Sequence, residues 1–206
     1  AAAAGGGAPR VTAVWLFGVA GMTLAMIVLG GVTRLTRSGL SMVEWRPQGS
    51  ALPATDEEWE REFDKYKQFP EFRKTNSRMQ LDEFKDIYFM EWLHRMWGRG
   101  IGLAFAVPLL ALLATRQLPR GIGGRLAAAF ALGGTQGAVG WWMVRSGLDE
   151  ALMTTDEPRV NSYRLTTHLA MAVGIYSLLT WTAMDLLQRG RAQVAKAAAA
   201  AATPDA

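Results

Sequence analysis

Four stretches of this 206-residue chain contain no Asp, Glu, Lys or Arg: residues 11–33, 100–115, 126–144 and 165–184. A helix needs about 20 apolar residues to cross the hydrocarbon core of a bilayer, and three of the stretches are close to that length or longer. The second is shorter, so we expect its helix to begin earlier and to include His94. The pattern predicts an all-α integral membrane protein. Its fold would be a four-transmembrane-helix up-down bundle with a long, partly helical outer loop between spans one and two.

The charges between these stretches predict the orientation of the chain. The charged residues at the start of span one and in the link between spans two and three are all basic. After span four, Asp185 is followed by Arg189, Arg191 and Lys196, with no further acid until Asp205. The other two connections are mixed in charge, and the second contains Asp149, Glu150, Asp156 and Glu157. Because basic residues favour the inner side of a membrane, we expect both termini inside and both mixed loops outside. The net charge of +4 follows from this bias. Nucleic-acid binding is not indicated, because the basic residues do not cluster in the sequence.

The chain has two histidines, His94 and His168, and each lies near the outer start of a predicted span. An ionisable side chain inside a membrane segment is costly and therefore usually functional. Two imidazoles on facing helices, in a chain without cysteine, suit the axial ligation of a haem iron. The alternative is that each imidazole only donates a hydrogen bond to a neighbouring helix.

Charged residues surround these histidines in the sequence. Glu91 lies three residues before His94, so both side chains project from nearly the same helix face. This carboxylate could hydrogen-bond the imidazole, act on a bound substrate, or be an interfacial group paired with Arg95. Guanidinium groups match the propionates of a haem, and some arginines near the outer interface are expected to bind them, while others bind lipid headgroups. The candidates are Arg34, Arg37, Arg95, Arg99, Arg159 and Arg164.

The first outer loop, about residues 34–89, is predicted to fold as a lid over the outer end of the bundle. Thr55 and Glu58 have the spacing of a capping box, and Trp59, Phe63 and Tyr66 recur on one face of the helix that follows. A helix lying on the membrane surface is the alternative.

An internal repeat accompanies the predicted spans. The run Arg-Ser-Gly-Leu occurs at residues 37–40, after span one, and at 145–148, after span three. We interpret it as a duplicated hairpin, in which Gly39 and Gly147 are expected to be left-handed residues at helix ends. Glycines in span three, Gly133, Gly137 and Gly140, predict close helix packing or room for a flat macrocycle.

We divide the chain into a flexible flank (1–10), a four-helix haem-binding transmembrane domain (11–187) and a low-complexity tail or linker (188–206). The flanks are expected to be mobile, although the alanine run at 195–202 could be helical.

Several runs resemble the haem A synthase family. The strongest is Glu-Trp-Leu-His-Arg-Met-Trp-Gly-Arg at residues 91–99. Further similar runs lie at residues 30–42, 62–68, 83–88, 136–148 and 158–168. They occur in the family's order and spacing between about residues 30 and 182. The chain is most similar to the mitochondrial and alphaproteobacterial type, whose first outer loop is long and lacks a cysteine pair.

The resemblance implies the N-terminal half of a pseudo-symmetric eight-helix enzyme, in which a histidine pair ligates one haem in each half. His94 and His168 match the ligands of the half that holds the haem O substrate and haem A product, and Glu91 matches its important acid. The implied reaction oxidises a haem methyl group to a formyl group, in steps, to supply haem A to cytochrome c oxidase. Arg34, Arg95, Arg99 and Arg164 are the candidates to hold the propionates.

The resemblance also implies partners and a location. Haem b is expected in the other half, and haem O synthase and an electron donor such as a ferredoxin system are expected partners, besides membrane lipid. The implied location is the mitochondrial inner membrane, with the termini in the matrix and the outer loops toward the intermembrane space. The bacterial plasma membrane is the alternative.

The sequence departs from the family after span four, because no further span or third histidine follows. The second half is therefore expected as a missing segment, a separate chain or a second copy in a homo-oligomer, and turnover is expected to require it. The alternative function is a single-haem b-type electron-transfer subunit, or a non-catalytic haem carrier or assembly factor. Such a protein would need neither Glu91 nor a large folded loop.

Overall fold

The computed structural model describes residues 7–154 and 158–202. All regular structure in these two ranges is helical, as predicted. The helices are α1 Gly7–Leu35, α2 Asp56–Tyr66, α3 Pro70–Lys74, α4 Leu81–Ala114, α5 Gly123–Arg145 and α6 Ser162–Ala202, with a 3₁₀ helix at Glu150–Thr154. Asp156, Glu157 and Asp205, which entered the prediction of orientation, lie outside the described residues.

Three helices of the described chain are long and apolar enough to cross a membrane, at Pro9–Leu35, Leu81–Ala114 and Ser162–Ala201. The second begins well before His94, as its short apolar stretch required. The predicted third span lies in α5, which has 23 residues but is not among the three. Glycines and Gln136 in the middle of α5 lower its mean hydropathy. Span three therefore remains a prediction, whereas the predicted span four lies in α6, which is among the three.

The chain forms two compact units, to which each of the four long helices contributes. The first contains Ala1–Leu24, Ile101–Gly133 and Val173–Ala206, and the second contains Ala25–Gly100 and Gly134–Ala172. The first unit has an apolar core that includes Leu16, Phe105, Leu126 and Leu179.

The second unit contains an aromatic core around α2. Thr55 caps α2 by accepting from the Glu58 N–H (3.3 Å), and the Glu58 carboxylate accepts from the Ala54 N–H (2.7 Å). The rings of Phe63 and Tyr66 stack on Phe84 of α4, with ring centroids 4.8 and 5.4 Å apart. The predicted cap and aromatic face are thus present, and the face is buried against the first turn of α4.

The end of α1 differs from the prediction that Gly39 is left-handed. The left-handed residue is Arg37, with φ of 54°, and neither Gly39 nor Gly147 has a positive φ. The Ser38 N–H donates to the Thr33 carbonyl (3.1 Å) across Arg37, which is the hydrogen bond of a Schellman motif. The cap therefore forms two residues earlier than predicted.

Gly147 is instead required for packing. A Cβ atom at Gly147 would lie 2.6 Å from Cδ2 of Leu40, a contact that real side chains do not make. Leu40 belongs to the first Arg-Ser-Gly-Leu run and Gly147 to the second, so the two copies of the repeat pack directly on each other.

Candidate functional site

Both histidines lie in the second unit, His94 on α4 and His168 on α6. The two imidazoles are close enough to interact electrostatically. Nδ1 of His168 is buried and has no hydrogen-bond partner among the described residues. This is unusual, because buried polar atoms are normally hydrogen-bonded. Within the described residues, Nδ1 of His168 therefore does not make the hydrogen bond to a neighbouring helix that the alternative interpretation proposed.

Each imidazole packs against a glycine of another helix. A Cβ atom at Gly30 of α1 would lie 3.1 Å from Nε2 of His94. A Cβ atom at Gly140 of α5 would lie 2.9 Å from Cε1 of His168. Of the glycines predicted to pack in span three, Gly140 has such a neighbour, whereas a Cβ atom at Gly133 or Gly137 would have nothing within 4 Å.

The backbone of α6 is also tied to α5 at the level of His168. The side-chain amide of Gln136 donates from Nε2 to the His168 carbonyl (2.9 Å). Its Oε1 atom is buried and, like Nδ1 of His168, has no partner in the described part of the chain. The sequence did not single out Gln136 as a site residue, although it opens one of the runs that resemble the family.

Glu91 is buried, with 2% of its surface exposed. Its Oε2 atom accepts from Oγ of Ser41 (2.7 Å) and from the Met42 N–H (2.8 Å). Its Oε1 atom accepts from Nη2 of Arg95 (2.6 Å). The pairing with Arg95 agrees with one of the predicted alternatives, but Glu91 is buried and Arg95 is partly buried rather than exposed.

The arginines predicted to hold propionates have separate surroundings. Arg95 donates to the carbonyls of Met42 (2.7 Å) and Glu44 (2.8 Å). Arg99 donates to the carbonyls of Arg46 (2.5 Å) and Pro47 (3.0 Å).

These two side chains therefore hold the segment after α1 against α4. The other two candidates lie on other helices, α1 and α6. Arg164 donates to the Trp142 carbonyl (2.8 Å) and lies over its ring, and Arg34 is exposed in the last turn of α1.

Two cavities adjoin this segment. The larger, about 440 Å³, is lined by the chain at 42–53, by α2, and by the α4 residues Tyr88, Trp92, Arg95, Met96 and Arg99. The smaller, about 200 Å³, is lined by Val43, Trp45, Arg95, Trp141, Val144, Arg145 and Leu148. Arg95 lines both, so a polar group entering either cavity would meet its guanidinium.

A second buried carboxylate, Glu71, lies in the chain between α1 and α4 and was not predicted. Tyr66 donates from its hydroxyl to Oε2 of Glu71 (3.0 Å), and Asn76 donates to the Tyr66 oxygen (2.7 Å). Burial, with a smaller contribution from the charge of Glu91, raises the pKa of Glu71 to about 7. This carboxyl group therefore titrates near neutral pH.

The donor set fits a haem better than a directly bound metal ion. Within residues 7–154 and 158–202 no cluster of three or more His, Asp or Glu side chains could hold a metal ion. A haem iron needs only two axial ligands from the protein. The two imidazoles and the unpaired Nδ1 atom are compatible with that requirement.

Comparison with known proteins identifies the relatives of the chain. The COX15-CtaA family model, described as cytochrome oxidase assembly protein, matches residues 13–204. Heme A synthase COX15 of Arabidopsis thaliana is 49% identical over 180 residues, which are 87% of this chain and 39% of that protein. Heme A synthase of Parvibaculum lavamentivorans is 51% identical over 191 residues, 90% of this chain and 54% of that protein.

A heme A synthase-mitochondrial ferredoxin fusion protein of Schizosaccharomyces pombe is 50% identical over 182 residues, 87% of this chain and 30% of the fusion. The chain thus spans between 30% and 54% of the length of these three relatives. No solved structure matches it. The matches confirm the predicted family, and the chain belongs to the COX15-CtaA family of cytochrome oxidase assembly proteins.

Proposed function

We propose that this chain is the part of a haem A synthase that binds the substrate haem, with His94 and His168 as the axial ligands. The observation that supports this most directly is the meeting of the two histidines in one unit, with Nδ1 of His168 buried and unpaired. The relatives named heme A synthase support a haem as the substrate.

The proposed reaction converts haem O to haem A by oxidising a methyl group to a formyl group. Two C–H bonds of the methyl carbon break and a C=O bond forms, so the complete enzyme must supply an oxidant for the electrons and a source of the oxygen atom. Glu91 is the residue that we assign to this chemistry, because a fixed, buried carboxylate can accept a proton or orient water. It lies one helical turn from His94, so it would be near the reacting methyl group.

The arginines would hold the haem propionates. Arg95 and Arg99 both line the larger cavity, and guanidinium groups match carboxylates in charge and shape. Arg34 and Arg164 are the further candidates.

The remaining assignments concern the whole protein. We propose that α5 is a fourth span, that the helices alternate in direction, and that both termini lie in the matrix or cytoplasm. Relatives from a plant, yeasts and bacteria support a mitochondrial inner membrane or a bacterial plasma membrane. The fusion relative supports a ferredoxin as electron donor. A second half or a second copy would hold haem b, and haem O synthase would supply the substrate.

The alternative is a single-haem b-type electron-transfer subunit or a haem carrier. It is favoured by one observation: both oxygens of Glu91 are already hydrogen-bonded within the protein, as expected for a structural carboxylate.

The experiment that tests the proposal is pigment analysis of the purified chain from a host that makes haem O. A pyridine haemochrome spectrum and mass analysis are compared for the wild type, His94→Ala and His168→Ala, with the surface variant Lys67→Ala as control. We expect haem O or haem A in the wild type and the control, and loss of pigment in both histidine variants. Haem b alone, in a host rich in haem O, would support the electron-transfer alternative, and a wild-type chain without haem would contradict the ligand assignment.

A further inference from the structure

Ser41 makes the shortest side-chain contact of Glu91 with the segment that follows α1. Ser41 is 2% exposed. Its Oγ atom lies 2.7 Å from Oε2 of Glu91, 3.2 Å from the Ser38 carbonyl and 3.3 Å from the Ile87 carbonyl. A hydroxyl group has a single proton to donate, and hydrogen bonds to carboxylates are shorter and stronger than those to carbonyls. The hydroxyl therefore donates to Glu91.

The same carboxylate has two other donors, and they fix it from different directions. The Met42 N–H lies 2.8 Å from Oε2, and Nη2 of Arg95 lies 2.6 Å from Oε1. Arg95 also donates to the Met42 carbonyl (2.7 Å), so the main chain of Met42 binds both partners of the ion pair through its N–H and its carbonyl. Removing the Ser41 hydroxyl would leave Oε2 with one donor in a buried site, where an unmade hydrogen bond is costly.

The internal repeat gives a second argument that Ser41 and Glu91 act together. In the first hairpin Ser41 follows the Arg-Ser-Gly-Leu run, and Glu91 precedes the histidine by three residues. The equivalent positions of the second hairpin are Asp149 and Leu165. The Arg-Ser-Gly-Leu run and the following histidine are shared by the two copies, whereas the hydroxyl–carboxylate pair is present only in the first.

We propose that Ser41 is a positioning residue for Glu91. Its hydroxyl, together with the Met42 N–H, sets the direction in which the carboxylate faces during oxidation of the substrate haem. This inference rests on the proposed function, since it assigns Ser41 to the same reaction. The role of Ser41 is exerted through Glu91, and Ser41 itself need not touch the haem.

The test compares Ser41→Ala, Ser41→Thr and the control Ser38→Ala in the purified membrane protein with its complete natural chain. Ser38 lies in the same turn, is 0% exposed, and its hydroxyl contacts Thr33 and Thr36 rather than Glu91. Three quantities are measured: bound haem, conversion of haem O to its formyl product, and the infrared carboxylate band of isotope-labelled Glu91. That band is assigned by its loss in Glu91→Gln.

We expect Ser41→Ala to retain haem and to convert haem O about tenfold more slowly, as loss of a hydrogen bond to a charged group predicts. Its Glu91 band should shift, Ser41→Thr should restore both rate and band, and Ser38→Ala should change neither. Equal rates in Ser41→Ala and Ser38→Ala, or an unshifted Glu91 band, would overturn the proposal.

The two proposals fail in different ways. If the wild type converts haem O and Ser41→Ala does so equally well, only the role of Ser41 is wrong. If the wild type neither binds nor converts haem O, the proposed function is wrong and Ser41 has no reaction to serve, even if its removal shifts the Glu91 band.

Discussion

Gly140 lies directly against His168: a Cβ atom on this glycine would be 2.9 Å from Cε1 of the imidazole and 3.5 Å from both ring nitrogens. The ring therefore occupies the volume that any other residue at position 140 would fill. Gly140 belongs to α5 and His168 to α6. The space between these two helices at Gly140 is therefore just wide enough for the imidazole ring. The position of His168, the proposed haem ligand, is thus fixed partly by a residue with no side chain.

Gly140→Ala should displace the His168 ring and lower the amount of bound haem. The contact at 2.9 Å is closer than real Cβ atoms approach, and a ligand misplaced even slightly binds iron poorly. Gly137→Ala is the matched control, because it lies on the same helix and a Cβ atom there would have nothing within 4 Å. The haem-to-protein ratio of purified samples, from pyridine haemochrome spectra, measures the effect. Equal ratios in the two variants would show that the glycine does not set the ligand position.

Gly30→Ala should have a smaller effect of the same kind on His94. The added Cβ atom would lie 3.1 Å from Nε2 of His94, so the ring must move by only a few tenths of an ångström. Gly31→Ala is the control, since nothing lies within 4 Å of its added atom. We expect the haem-to-protein ratio to be highest in Gly31→Ala, intermediate in Gly30→Ala and lowest in Gly140→Ala. A larger loss from Gly30→Ala than from Gly140→Ala would contradict this geometric ranking.

The sequence predicts much of this arrangement because the relevant signals are local. Absence of charge locates three of the long helices, and the Thr55 cap with its aromatic face locates α2. The predicted span three lies in α5, which is not among the three described helices that are apolar enough to cross a membrane, and glycines and Gln136 in its middle add little hydrophobicity.

The surroundings of Glu91 could not be predicted in the same way. Ser41 and Glu91 are 50 residues apart in the chain, and no periodicity connects them. Arg95 and Arg99 bind main-chain carbonyls. Because every residue has a carbonyl, such partners cannot be predicted from residue types. The Arg37 cap was missed because left-handed residues are usually glycine, whereas here the Schellman bond holds an arginine in that conformation.

Gly147→Ala should destabilise the protein through its contact with Leu40. The added Cβ atom would lie 2.6 Å from Cδ2 and 2.9 Å from Cδ1 of Leu40, which is 4% exposed. Overpacking of this kind costs about 1–3 kcal/mol. In a Leu40→Ala background only the contact with Cγ1 of Val160, at 3.1 Å, remains, so Gly147→Ala should then cost less. A double-mutant cycle of thermal unfolding midpoints in detergent measures this coupling, and additive effects of the two substitutions would contradict it.

The pH dependence of stability should contain a contribution from Glu71. Burial raises its pKa to about 7 from the ordinary value of 4.5, and the negative charge of Glu91 acts in the same direction. The hydrogen bond from Tyr66 and the positive charge of Arg37 act in the opposite direction but are outweighed. A carboxyl group whose pKa is higher in the folded state stabilises the fold below pH 4.5, and this stabilisation is lost as pH rises through 7. The full difference corresponds to about 3 kcal/mol.

Glu71→Gln keeps an acceptor for Tyr66 but cannot ionise, so it should remove this contribution. We expect Glu71→Gln to match the wild type in unfolding midpoint at about pH 5 and to exceed it at about pH 8, because only the wild type must then bury a charged carboxylate. The control is Asp64→Asn, which alters a surface carboxylate paired with Lys67. In this variant the change in unfolding midpoint between the two pH values should be the same as in the wild type. If Glu71→Gln shows the same pH dependence as the wild type, Glu71 does not titrate between these pH values in the folded protein. Its buried pairing with Tyr66 would then be a permanently charged or permanently neutral structural contact.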